Sequence, residues 1–131
     1  MFNKKSMLLS LAACVGFASL ATNADACTPN PDRGPIMVSA GADGTPVVEP
    51  DTVTACVGET LRWVFRGSTA KEFAVAFRSA EDSPFDWDRQ TGATVTGTVK
   101  AGAAKDNART EYAYDVELDG QPMDPRIIIE P

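Results

Sequence analysis

The sequence predicts an all-β fold, a single-domain antiparallel β-sandwich behind a signal peptide. Three observations point to it. Apolar residues alternate with polar ones in Leu61–Phe65, Phe73–Phe77 and Tyr112–Leu118, the period of a strand with one buried face. Gly, Pro, Asp and Asn punctuate the intervals between these runs, as in a chain of short strands and turns. No segment carries a convincing helical repeat. Counting the runs gives about seven strands.

The N-terminus has the layout of a secretory leader. Lys4 and Lys5 precede a mostly apolar Met7–Ala21 stretch, and Ala24-Asp25-Ala26 supplies a small-residue cleavage site before Cys27. The apolar run is short for a membrane span, so no stable transmembrane anchor is expected. Leu11-Ala12-Ala13-Cys14 also has the form of a lipobox, which would make Cys14 a lipidated first residue. The continuation of the apolar run past Cys14 favours ordinary cleavage. The organisation expected is signal peptide 1–26, extended lead-in 27–34 and sandwich 35–131, in a periplasmic or secreted protein.

The whole chain of 131 residues has a net charge of −6. Cleavage after Ala26 removes two basic residues and one acidic residue, leaving −7. Such a surface disfavours nucleic acid and anionic lipid. Cleavage also leaves two cysteines, Cys27 and Cys56, and an oxidising compartment favours their pairing.

Thr28–Gly34 is rich in Pro and reads as the extended lead-in. Ile36–Ala40 is the first strand, with Ile36 and Val38 inward. Gly41–Pro46 is turn chemistry, and Val47-Val48 is a short apolar pair. Thr52–Val57 is β-prone and feeds a turn at Gly58. The strand that follows directs Leu61, Trp63 and Phe65 inward, with Trp63 the centre of the core. Arg62, Val64 and Arg66 face outward, where the arginines are expected to pair with Asp115 and Glu117 on neighbouring strands.

Phe73, Val75 and Phe77 form the next inward set, with Ala74 and Ala76 outward. Ser79–Gln90 is an acidic, aromatic loop, and Thr94–Val99 a half-exposed threonine-rich strand. Glu111–Leu118 alternates strongly, with Tyr112, Tyr114, Val116 and Leu118 inward. Asp119-Gly120 opens a turn. Arg126–Glu130 is the last strand, close enough to Glu111–Leu118 to pair with it as a hairpin.

The order Gly58–Phe65, loop, Glu72–Phe77 resembles the central strands of cupredoxins. The closing Tyr112–Gly120 and Met123–Ile129 stretches resemble the C-terminal hairpin of small exported bacterial proteins of uncharacterised function, cupredoxin-like but without the metal site. The resemblance spans Thr52–Glu130. It implies a cupredoxin-like sandwich but not its copper. A blue-copper centre needs two His and a Cys, and the chain has no His. An acid, Glu72, stands where the first ligand would precede Phe73. No cofactor is therefore expected.

Lack of His also removes the usual general base and the common nucleophile pairs, so the chain reads as a non-enzyme. Glu81, Asp82, Asp86 and Asp88 are hard ligands suited to a cation, but their spacing does not form an EF-hand loop. Phe85, Asp86, Trp87 and Asp88 are the best candidates for a binding site. Their alternation sets two rings against two carboxylates, either as a plug at one end of the sandwich or as an exposed patch with a charged rim. The function expected is non-catalytic binding of an envelope protein or small ligand. Two alternatives stay open: a metal-handling protein using carboxylate or Met/Cys ligands, and a small protease inhibitor presenting its aromatic loop.

Overall fold

The computed structural model describes residues 26–131. Apart from Ala26, the expected leader, with its Cys14 lipid site, lies outside them. Eleven strands follow in order: β1 (Ile36–Ala40), β2 (Pro46–Glu49), β3 (Thr52–Cys56), β4 (Thr60–Phe65), β5 (Phe73–Ala76), β6 (Arg89–Gly92), β7 (Thr94–Thr98), β8 (Thr110–Ala113), β9 (Asp115–Leu118), β10 (Gln121–Met123) and β11 (Arg126–Glu130). Short 3-10 turns at Ala80–Asp82 and Lys105–Asn107 are the helical segments among the described residues.

One wall of the sandwich is the ladder β2-β1-β4-β7. The other combines β3-β11-β8 with β10-β9-β5-β6, joined because β8 runs into β9 through Tyr114 alone. Most strand pairs are antiparallel, but β1 with β4 and β3 with β11 are parallel. Alternation reports which face is buried and is the same in either direction, so the two parallel pairs leave no mark in the pattern.

The strand count exceeds the expected one for local reasons. Pro46–Glu49 is a strand because it pairs with β1, although its apolar content is two valines. Arg89–Gly92 is almost wholly polar and pairs with β5. Glu111–Leu118 is divided: β8 pairs with β11, whereas β9 pairs with β5 and β10. The tight hairpin is therefore β9–β10, closed by Asp119 and Gly120 at φ 52° and 80°. Positive φ at both central residues matches the right-handed twist of the flanking strands.

The core fills the space between the walls. Trp63 is fully buried, with Leu61, Ile36 and Val38 beside it, and Val75, Val116, Leu118, Ile127 and Ile129 lie opposite. The indole N–H has no access to water and donates to the Tyr114 hydroxyl at 3.1 Å. This bond joins the two walls. The rings of Trp63 and Tyr114 meet edge to face, with centroids 5.8 Å apart, a favoured aromatic geometry.

The outer faces depart from expectation at two places. Arg62 and Arg66 do not meet Asp115 or Glu117, because β4 lies between β1 and β7 in the opposite wall from β9. Glu117 instead pairs with Arg89 at 3.0 Å. These two side chains stand on strands flanking β5, opposite Ala74 and Ala76. They reach each other because only methyl groups lie between them, and Ala74 is consequently buried rather than outward and open.

The lead-in is held at two points. Cys27 and Cys56 form a disulfide across 29 residues, a closure that contributes about 2–4 kcal/mol. Arg33 pairs with Glu59, which is only 4% exposed. The Glu59 carboxylate also accepts the Cys56 N–H at 3.0 Å, and Arg33 donates to the Thr54 carbonyl at 2.6 Å.

Two substitutions test this packing. Trp63→Ala should cost about 3–5 kcal/mol in denaturant unfolding; an unchanged melt would contradict the burial of that ring. Arg33→Ala leaves a buried carboxylate without its cation and should cost about 3–5 kcal/mol, measured with the disulfide intact.

Candidate functional site

The Ser83–Asp88 segment is built around a buried serine. The Ser83 hydroxyl donates to the Trp87 carbonyl at 2.6 Å and accepts the Phe85 N–H at 3.1 Å. This tight local ring sends both aromatics inward and leaves Asp86 and Asp88 exposed. Phe85 is 1% exposed and packs edge to face on Trp63, while Trp87 is half-buried and stacks on Phe85 at 4.9 Å. Gly97 on β7 makes room for them, since a Cβ there would lie 2.7 Å from Phe85 and 2.9 Å from Trp87. The expected alternation is present, but the rings face the core. Of the two arrangements expected, the burial of Phe85 against Trp63 is that of the plug, since it removes more apolar surface from water than a loop tip can.

Glu81, Asp82, Asp86 and Asp88 do not converge. Among the described residues no three His, Cys, Asp or Glu side chains come together in a metal-binding arrangement. Cys27 and Cys56 are engaged with each other.

A groove of about 560 Å³ opens next to the aromatic cluster. One side is Ala76-Phe77-Arg78, the continuation of β5, and the other is Glu111–Asp115. Extending the β5–β9 register would set Phe77 opposite Tyr114, but the two strands part there. The Phe77 N–H donates to the Asp88 carbonyl at 2.7 Å, and the chain then turns into Ala80–Asp82.

β8 is thus the end strand of its three-stranded ladder, bonded to β11 alone. The Tyr114 N–H donates to Pro125 on the β11 side at 3.2 Å. By strand alternation Tyr112 faces the same way, and the peptide groups of Glu111 and Ala113 face the groove.

Charge at the groove is predominantly acidic: Asp82, Glu111, Asp115 and Asp124 against Arg78 and Lys105. Arg126 neutralises Glu111 at 2.5 Å. Lys105 stands over the Tyr112 ring, 5.6 Å from its centroid. The Asp115 carboxyl is pushed above its ordinary range, first by desolvation and then by the charges of Asp124 and Glu117. Burial also raises Tyr112, with Asp82 adding to the effect, and burial holds Tyr114 protonated far into base.

No protein-family model matches the chain, and no curated protein matches it. Among solved structures it is similar to amicyanins. A reduced Cu(I) form of a proline-to-glycine variant is 19% identical with a TM-score of 0.46, over 75% of this chain and 84% of that chain. A Cu(I) form of a methionine-to-alanine variant is 17% identical with a TM-score of 0.44, over 81% and 93%.

In this chain Glu72 precedes β5 at the end away from the groove, in the loop where Lys71 pairs with Asp119 at 2.6 Å. The groove residues themselves escape sequence reading. Arg78, Ala113 and Asp124 carry no motif; alternation placed Phe77, Tyr112 and Tyr114 inward and Asp115 outward but did not bring them together as a groove.

Two outcomes check the site's construction. Gly97→Val pushes a branched side chain into the Phe85 and Trp87 rings and should cost about 1–3 kcal/mol, with a changed near-ultraviolet spectrum. Asp115→Asn tests the electrostatics. A raised carboxyl pKa contributes stability below its unfolded value and loses that contribution as pH rises through the folded value. The Asn variant should therefore be more stable than wild type at neutral pH, with the gain gone well below pH 3.8. Equal melts at both pH values would refute the desolvation.

Proposed function

We propose that this chain is an exported, non-catalytic binding or accessory protein, a cupredoxin-like domain without copper whose ligand lies in the groove between β5 and β8–β9. The observation that carries this reading is the groove wall: a strand edge with peptide groups turned toward an open, charged recess. Such a wall offers donors and acceptors with no loss of internal bonding. The Cys27–Cys56 disulfide supports a periplasmic or secreted location. Absence of His from the sequence weighs against general-base catalysis.

The rivals draw less support. A protease inhibitor would need its aromatic loop to project, and Phe85 is buried. A metal-handling protein would need its carboxylates gathered, and among the described residues no three of them come together, with Asp86 and Asp88 exposed to solvent.

A photo-reactive residue at Ala113, compared with one at Thr96 on the outer face of β7, tests the reading in intact cells. Adducts from Ala113 alone are expected. Adducts from neither position, or equally from both, would overturn the groove as the binding surface. Mixing purified protein with Cu(II) should produce no intense thiolate-to-copper band; its appearance would overturn the copper-free assignment.

A further inference from the structure

We infer that the groove takes an extended basic polypeptide segment, which adds as a strand to the free edge of β8 and directs Lys or Arg side chains to Asp115 and Asp124. This rests on the groove being the binding surface and adds the chemistry of its occupant.

The strand edge supplies the first requirement. Glu111 and Ala113 present their peptide groups to the groove, and β8 has a single ladder partner, β11. An added strand would take up those groups as in β-augmentation, where main-chain bonds supply affinity and alternate side chains supply selectivity. The opposite wall does not serve β8: β5 is laddered to β9 and β6, and no ladder joins it to β8.

Charge supplies the second requirement. Asp115 lies at the end of the β8 edge and Asp124 in the link between β10 and β11, and both line the groove. Neither has an ion-pair partner among the described residues, whereas Glu111 is held by Arg126 and Glu117 by Arg89. The two free carboxylates repel each other, and a cation between them relieves that repulsion.

Alternation along an incoming strand separates its two faces. Inward positions meet the Phe77 and Tyr114 rings, which stack at 5.3 Å. Outward positions meet the carboxylates. The segment therefore reads as apolar residues alternating with basic ones. An acidic segment laid along the same edge would instead bring like charge to the unpaired Asp115 and Asp124 and be disfavoured there.

The probe is a synthetic hexapeptide of alternating Val and Lys, capped at both ends, titrated into isotope-labelled full-length mature protein. Its Val/Glu counterpart and versions N-methylated at every second amide are the controls. Saturable binding should shift the amides of Glu111, Ala113 and Asp115. At least one N-methylated version should bind about tenfold or more weakly, the loss of about 1.4 kcal/mol. Asp115→Asn with Asp124→Asn should weaken the lysine peptide and flatten its salt dependence.

Equal binding of the Glu peptide, indifference to N-methylation or shifts confined to other faces would overturn the inference. So would dimerisation of the protein through β8, seen by sedimentation. N-methylation alters the peptide alone, so the test survives a variant that fails to fold. If the lysine peptide does not bind while Ala113 still forms its specific adduct, the basic-strand inference falls and the groove reading stands. If both fail, both fall.

Discussion

The hydrogen bond from the Trp63 indole to the Tyr114 hydroxyl is the constraint on which the rest of the structure depends. A buried indole N–H without an acceptor is costly, so Trp63 can occupy the core only if the facing wall brings an oxygen to it. Tyr114 does so from the single residue between β8 and β9. There the chain leaves β11 and joins β5. One tyrosine thus sets the spacing of the walls and occupies the point where the second wall changes partners.

That change of partner produces the groove. A strand continuing unbroken beside β5 would close it, and one remaining wholly with β11 would leave β5 uncovered. Phe77 and Tyr114 stay stacked beneath the parting strands, so the core remains sealed while the main chain above it is open. The Ser83 turn performs a related task on the same side. It tucks Phe85 and Trp87 beneath β7 and leaves their intervening acids in water. The open main-chain edge at Glu111 and Ala113 and the packing of Phe85 and Trp87 are therefore carried by different segments.

Much of this was legible in the sequence, and the limits have physical causes. Period-two alternation identifies Trp63, Val75, Tyr112 and Val116 as inward because burial depends on one strand at a time. Pairing depends on two, and the parallel partners of β1 and β3 are specified by side chains far along the chain. Arg33 lies in the Pro-rich lead-in and Glu59 just after the Gly58 turn, and no local pattern pairs them. Their contact follows from the disulfide drawing the lead-in over the Gly58 turn. The break at Tyr114 interrupts no alternation, so the groove edge was invisible, and Ala113 looked like any outward alanine.

The parallel ladder between β3 and β11 also sets when its sheet can be completed. β11 fills the middle of its sheet, between a strand formed early in the sequence and β8 just upstream. Its Ile127 and Ile129 are fully buried. During synthesis Thr52–Cys56 must wait for some seventy further residues, roughly several seconds of elongation, before its partner exists. Contacts of that span favour slow closure. The three-stranded sheet consequently cannot close until Arg126–Glu130 has emerged, whereas the ladder β2-β1-β4-β7 needs nothing beyond Thr98.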